Sequence, residues 1–369
     1  MNLWLLLPAV AALSLLLTAG LRRYAIARSL IDVPNARSSH QVPTPRGGGV
    51  AIVLSFLLAV LLAAILGAVK PDLATGILGA GIGIALLGFL DDHGHIAARW
   101  RLLGHFAGAC WLLYWLGGLP ALAFFGLVVD LGWVGHIAAA FYLVWMLNLY
   151  NFMDGIDGIA SVEAVCVCVG AALLVVVSGV GSDEASQGVW LAALLAAAVT
   201  GFLFWNFPPA RIFMGDAGSG FLGVIIGGLS LQAAWVSPQL FWGWLILLGV
   251  FIVDATLTLL RRLLRGDKVY EAHRSHAYQY ASRHYGRHLP VTLAVGGINI
   301  FWLLPLALLV AAGKIDGMLA LLIGYLPLAF LALRFKAGVL EHALLECPGW
   351  LEARDDFPGT YNMKGMCKR

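Results

Sequence analysis

The chain has 369 residues, of which 61% are hydrophobic and only 12% charged, with a formal net charge of +3 and a mean hydropathy of +0.87. Soluble domains carry about 25% charged residues, so a soluble enzyme is excluded and no nucleic-acid partner is expected. The apolar residues come in long blocks separated by short polar ones, which is the pattern of an all-α polytopic membrane protein.

In chain order the predicted membrane spans cover about 3–20, 48–69, 74–90, 102–118, 134–149, 159–180, 187–205, 218–236, 240–260, 290–312 and 316–333, eleven in all. The first run lacks a preceding basic segment and is followed by Arg22-Arg23, which favours a retained span over a cleaved signal. With the N-terminus outside, 21 of the 23 Lys and Arg residues fall in the cytoplasmic segments, and only Lys70 and Lys314 lie outside. That bias predicts the N-terminus out and the C-terminus in. The stretch Ala121 to Val129 is apolar but too short to span. Residues 1–336 read as one membrane catalytic unit and 337–369 as a cytoplasmic tail, whose start, Ala337 to Leu345, is expected along the membrane surface. Cys166 and Cys168, two apart in an apolar run, read as small core residues rather than a metal site.

The unusual polar residues collect in the inner segments. These are Asp32 to His40 with Pro43 to Gly49, then Asp91-Asp92, Asn148 to Gly158, Asn206 to Ser219, and Asp254 with the loop to His288. A transporter would spread polar groups toward a midplane site. A one-sided set fits an enzyme that joins a cytoplasmic substrate to a lipid one.

Adjacent carboxylates repel, so Asp91-Asp92 near a membrane calls for a compensating cation, unless they are two solvated loop acids. In Asn148 to Gly158, two Asp and two Asn interleave with Gly where hydrocarbon gives way to water; acids at that depth are expensive and point to function. If helical, Asp154 and Asp157 share a face. A polar helix cap would explain one Asp but not the set. Asp216, with Gly215, Gly218 and Ser219, opens a span; alone it reads as an N-cap, but small residues and helix N–H groups also admit a phosphate. The 261–289 loop holds seven Lys and Arg and the histidines His273, His276, His284 and His288. Basic residues there are expected from positive-inside bias and anionic lipid, which histidines do not serve. Zinc at His273 and His276 is the alternative, without a Cys or nearby acid to complete it. Gly79, Gly81 and Gly83 lie within a span and read as helix packing. Oxygen ligands with phosphate suggest Mg²⁺ with Mn²⁺ as substitute, and hence a phosphate-handling membrane enzyme.

Four motifs in order, Pro43-Thr44-Pro45-Arg46-Gly47-Gly48, Asp91-Asp92, Asn148 with Asn151 to Gly158, and Phe213 to Ser219, resemble the polyprenyl-phosphate N-acetylhexosamine-1-phosphate transferases of glycosyltransferase family 4. The resemblance runs from about Asp32 to His276. It implies transfer of a sugar-1-phosphate from a UDP-N-acetyl sugar to undecaprenyl phosphate in the bacterial inner membrane, with release of UMP; a homodimer is compatible with it. It further implies that Asp216 is the main Mg²⁺ ligand, and that Asp91 and Asp92 hold the cation or deprotonate the lipid phosphate. Asn151 and Asp154 would shape the metal and nucleotide-sugar pocket, Asp157 would hydrogen-bond uracil, Phe213 would stack on it, and Asn206 would hold the nucleotide. Arg46 would bind substrate. His273 and His276, with Arg265 and Arg274, would contact the pyrophosphate.

The branch acting on UDP-N-acetylmuramoyl-pentapeptide has Asn-Leu-Thr-Asp-Gly where this chain has Asn151-Phe152-Met153-Asp154-Gly155, and consecutive histidines where this chain reads His273-Arg274-Ser275-His276. These departures point to the subgroup that starts O-antigen or related lipopolysaccharide and exopolysaccharide synthesis, often with 6-deoxy sugars. The muramoyl-pentapeptide transferase, a membrane phosphatase and a sugar or lipid transporter are the rivals.

Overall fold

The structure is a computed structural model that describes residues 3–34, 39–40, 42–94, 96–268 and 273–339. In hydrocarbon a chain must satisfy its own backbone polar groups, which a helix does within one segment. The helices are α1 (Leu6–Ala27), α2 (Gly49–Ile65), α3 (Pro71–Gly94), α4 (Ala98–Leu116), α5 (Gly132–Met153), α6 (Ile159–Ser178) and α7 (Asp183–Asn206), followed by α8 (Asp216–Val236), α9 (Pro238–Leu247), α10 (Gly249–Leu264), α11 (Ala277–Tyr285), α12 (Leu289–Ile298), α13 (Leu304–Ala311) and α14 (Gly317–Arg334). A π-helical turn, Asn299–Leu303, joins α12 to α13.

Every one of the eleven expected segments is helical. Among the described residues eight helical runs are long and apolar enough to cross a membrane, the α12–α13 run through its π-turn counted as one, or nine if the bent pair α9–α10 is a single span. α2 is apolar but has only 17 residues, and α4 carries Arg99 and Arg101 near its start. Large apolar side chains such as Leu16, Phe141 and Phe330 face outward, as a bilayer-covered surface requires. The protein is a multi-pass helical membrane protein.

α8 is the centre of the bundle and is buried without a break from Ala217 to Ala234. Its glycines allow this: a Cβ on Gly223 would lie 2.5 Å from the Met146 carbonyl of α5, and one on Gly228 2.5 Å from Leu112 of α4. Gly79 and Gly81 of α3 are likewise helix contacts, against Trp111 and Phe221, whereas Gly83 faces open space.

Two expected elements differ. The 240–260 run breaks by 69° between α9 and α10. The Leu245 carbonyl accepts the Tyr325 hydroxyl at 2.6 Å, and a side chain entering the backbone ladder is a known cause of a sharp kink. Residues Leu122–Phe124 (β3) and Leu127–Val129 (β4) form a β-hairpin, in register Ala123 with Val128, pinned to α9 by the Trp242 indole on the Ala123 carbonyl at 2.8 Å. A second small pair, Ile31–Asp32 (β1) with Thr44–Pro45 (β2), folds the segment before α2 onto itself. Of the expected tail, only 337–339 lie within the described residues; the surface-helix expectation for Ala337 to Leu345 falls largely outside them.

Candidate active site

At the end of the bundle opposite the β3–β4 hairpin, the starts of α2, α6 and α8 meet the ends of α3, α5 and α7. Pro45 and Phe213 bind them first: Phe213 N–H donates to the Pro45 carbonyl at 2.8 Å, and Gly48 and Gly49 N–H donate to the Phe213 and Met214 carbonyls at 2.9 Å each. Glycines permit the approach. A Cβ on Gly49 would sit 2.5 Å from Gly218 Cα, and one on Gly88 would sit 2.6 Å from the backbone of Asp216 and Ala217.

Between these elements lies a cavity of about 570 Å³. Its wall includes Arg46, Asp91, Asp92, Asn151, Asp154, Asp157, Asn206, Phe213 and Asp216, so the structure gathers nine of the expected site residues in one place.

The paired acids are neutralised separately. Asp92 Oδ1 accepts Arg46 Nη2 at 2.5 Å and the Asp216 N–H at 3.3 Å, while Oδ2 accepts the Ala217 N–H at 3.5 Å. A carboxylate from α3 thus caps α8, where the helix dipole favours negative charge. Asp91 makes an ion pair with Arg101, accepts the Ile96 N–H at 2.8 Å and also reaches the Asp216 carboxyl. The compensating positive charge near Asp91-Asp92 is therefore supplied in part by two arginines. Arg101 is a site residue that the sequence reading missed, although it lies in the same short segment.

Asn151, in the last turn of α5, donates to Ser219 Oγ at 3.2 Å and its amide reaches the Asp216 carboxyl. Asp154 follows as the C-cap, outside the helix, and accepts no hydrogen bond among the described residues. Burial, then the negative charges of Asp216, Asp92 and Asp157, hold its carboxyl well above the usual carboxylate range. The expected shared helical face of Asp154 and Asp157 is not formed, because α5 stops at Met153 and the chain turns over 154–158. Asp157 points instead to the 206–210 loop. Its Oδ2 accepts the Ala210 N–H at 3.0 Å, and its Oδ1 lies 3.1 Å from His288 Nδ1. Burial works against the charged imidazole, but the Asp157 hydrogen bond and charge outweigh it and raise the His288 pKa. His288 Nε2 in turn sits 3.1 Å from the Ser39 carbonyl, so one ring links α12, the 154–158 turn and the segment before α2.

Asn206 is 2% exposed and its amide is already occupied: Oδ1 accepts the Gly158 N–H at 3.1 Å and Nδ2 donates to the Ile212 carbonyl at 3.0 Å. It holds two loops in place rather than presenting an open amide. His273, His276, Arg265 and Arg274 do not line the cavity. His276 is 2% exposed and starts α11, beside Asp254, whose carboxylate accepts the Ala277 and Tyr278 N–H groups at 2.9 and 3.0 Å. His273 stacks on His276 at 4.9 Å, and burial with the neighbouring His276 and Arg262 pushes its pKa down to about 3. Arg265 pairs with Asp267 and donates to the Gly338 carbonyl at 2.7 Å. What this loop does bring to the cavity is Gln279, with Tyr278 donating to the Phe152 carbonyl at 2.8 Å. His40 and Ser219 also line the wall, and neither was singled out as a site residue from sequence.

Among the described residues no group of three or more His, Cys, Asp or Glu makes a ready metal cage, and zinc at His273 and His276 gains no support. Magnesium needs less: one or two carboxylates, with substrate phosphates and water completing the shell. Asp154 and Asp216, acids on one cavity with Asp154 carrying unrelieved negative surroundings, fit such an ion.

A multi-pass helical membrane protein with an acid-walled, arginine-flanked cavity at one end of the bundle has the layout of a membrane transferase for phosphate-bearing substrates. The sequence profile of glycosyl transferase family 4 matches residues 74–234. The "Probable undecaprenyl-phosphate N-acetylglucosaminyl 1-phosphate transferase" of Bacillus subtilis (strain 168) is 33% identical over 270 residues, covering 72% of this chain and 73% of that protein. A phospho-N-acetylmuramoyl-pentapeptide-transferase of Desulforudis audaxviator is 33% identical, covering 63% and 75%. A decaprenyl-phosphate N-acetylglucosaminephosphotransferase of Mycolicibacterium smegmatis is 30% identical, covering 70% and 71%. The chain belongs to glycosyl transferase family 4, among the polyprenyl-phosphate hexosamine-1-phosphate transferases.

Proposed function

We propose that the protein transfers an N-acetylhexosamine-1-phosphate from a UDP-sugar to undecaprenyl phosphate and releases UMP, at a site facing the bacterial cytoplasm. The observation that carries this reading is the single cavity joining Phe213, the acids Asp91, Asp92, Asp154 and Asp216, and Arg46. The segments that supply the cavity's residues are among those that, with the N-terminus outside, hold 21 of the 23 Lys and Arg in the sequence, which supports the cytoplasmic side.

In the reaction, an oxygen of the lipid phosphate attacks the sugar-bearing phosphorus, the bond to the UMP oxygen breaks, and UMP leaves with that electron pair. Phe213 stacks on the uracil. Asp216 and Asp154 would hold Mg²⁺, or Mn²⁺ in its place. The ion, when bound, neutralises phosphate charge and polarises phosphoryl oxygens. Asp92 is a positioning residue, since its carboxylate fixes the start of α8 and Arg46. Asp91 and Asp216 both line a smaller cavity, of about 60 Å³, with Leu87, Leu147, Phe152 and the Asp91 partner Arg101. With Asp216 given to the ion, Asp91 is the acid left to meet a phosphate entering on an apolar chain and to take its proton.

The donor sugar that the relatives favour is N-acetylglucosamine, named in those of B. subtilis and M. smegmatis. A 6-deoxy sugar and a role in starting O-antigen or related envelope polysaccharide follow from the sequence departures. The muramoyl-pentapeptide reading has the D. audaxviator relative in its favour. Purified protein with undecaprenyl phosphate, Mg²⁺ and a panel of UDP-N-acetyl sugars, UDP-N-acetylmuramoyl-pentapeptide included, separates these. UMP formation that depends on the lipid is expected. Release of free phosphate, or UMP without lipid, would overturn the proposal, and turnover of the muramoyl donor alone would favour the second reading.

A further inference from the structure

His40 lies on the cavity wall, in the segment before α2, and the reaction scheme leaves it without a task. Its ring meets Phe213 edge-on, with centroids 4.8 Å apart and planes at 63°, a favoured geometry for an aromatic pair. Its Nε2 is buried and has no hydrogen-bond partner among the described residues. Buried polar atoms nearly always have a partner, and one without it at a cavity wall asks for a ligand.

Both sides of this contact are held rigidly. The Ser39 carbonyl is bound by His288 Nε2 at 3.1 Å, and that ring is fixed by Asp157. The Phe213 backbone is pinned to Pro45 and Gly48. The imidazole is therefore delivered to Phe213 by contacts that do not themselves use its nitrogen.

We propose that His40 is a substrate-contacting residue whose Nε2 hydrogen-bonds the edge of the uracil ring while Phe213 supplies the face. A phosphate oxygen is the other chemistry that could meet an imidazole nitrogen here. The base is favoured because His40 packs on the aromatic platform, whereas the acids and Arg46, which answer to phosphate and cation, cluster at the start of α8. This rests on the reading of the cavity as a UDP-sugar site.

The test uses the full-length protein carrying His40→Phe, which keeps the ring contact and removes the nitrogen, and His40→Gln, which returns a polar atom. UDP-N-acetylglucosamine turnover and inhibition by UMP, uridine and inorganic pyrophosphate are measured. One lost hydrogen bond predicts that His40→Phe raises the UDP-sugar KM and the UMP and uridine inhibition constants about tenfold. The undecaprenyl-phosphate KM and pyrophosphate inhibition should stay at wild-type values, and His40→Gln should recover most of the loss. Unchanged UMP and uridine inhibition in His40→Phe overturns the proposal. So does a loss seen with UMP and pyrophosphate but not with uridine, which would assign His40 to phosphate. If His40→Phe does not fold, His40→Ala compared with His40→Gln carries the same comparison. A wild-type protein that neither turns over UDP-sugars nor binds UMP would instead bring down the functional reading itself.

Discussion

The carboxylate of Asp92, at the end of α3, accepts the backbone N–H of Asp216 at 3.3 Å, so the acid that opens α8 is set in place by another acid 124 residues earlier. The same carboxylate holds Arg46, and Gly215 leaves room for it, since a Cβ there would fall 2.8 Å from Asp92 Oδ2. One side chain thus couples three segments that the sequence separates.

Asp92→Ala removes that cap and strands Arg46. Loss of a helix cap costs about 1 kcal/mol, so the unfolding temperature in detergent should fall modestly while UMP formation drops far more. Arg46→Gln should cost little stability, because the arginine is 38% exposed and such pairs contribute weakly. Equal losses of stability in the two variants would show that capping is not the dominant role.

Asp216→Asn should abolish turnover while leaving the folded protein intact, since the backbone contacts to Asp92 do not use the Asp216 side chain. Mg²⁺-dependent activity surviving in this variant would remove Asp216 as the metal ligand.

Phe213→Ala should act on nucleotide binding. Stacking of a base on an aromatic ring is worth about 1–3 kcal/mol, so the UDP-sugar KM should rise roughly tenfold with little change in kcat. An unchanged KM contradicts the stacking role.

Gly88→Ala places a methyl group 2.6 Å from the backbone of Asp216 and Ala217, which cannot move as a flexible side chain can. Overpacking of this kind costs about 1–3 kcal/mol, and here it also pushes the start of α8 away from Asp92. Activity should fall together with the unfolding temperature. Wild-type values for both would show that α3 and α8 are not held this closely.

The Asp157–His288 link gives a pH dependence with a definite sign. The folded protein raises the His288 pKa above its ordinary 6.5, so the link contributes fully below that value and is lost as pH rises through the higher folded one. The difference in unfolding temperature between wild type and His288→Gln should be largest in mild acid and shrink above neutrality. A difference independent of pH would mean that the imidazole acts only as a neutral hydrogen-bonding group.

Much of the fold was legible because hydropathy is a local quantity. Each predicted span is helical, those over 240–260 and 290–312 as interrupted runs, and of the three glycines expected to pack helices Gly79 and Gly81 do while Gly83 faces open space. The break between α9 and α10 was not legible, because the run's hydropathy does not mark it and the Tyr325 hydroxyl that meets the Leu245 carbonyl there comes from 80 residues away. The hairpin over 122–129 read only as a run too short to span, since register is a pairing between strands and not a property of either.

For the site, the sequence by itself determined which segments matter. Acids, amides and glycines interrupting apolar runs are costly in a membrane and therefore informative wherever they occur. Only the tertiary structure decided how they divide the work. It gives Asp91 to Arg101 and Asp92 to Arg46 and α8, spends the Asn206 amide on holding loops, keeps His276 and Arg265 off the cavity wall, and brings His40 onto Phe213. The physical reason is reach. A side chain's partner is fixed by which helix ends the bundle brings within about 3 Å, and neighbours in sequence such as Asp91 and Asp92 are given different arginines by that packing.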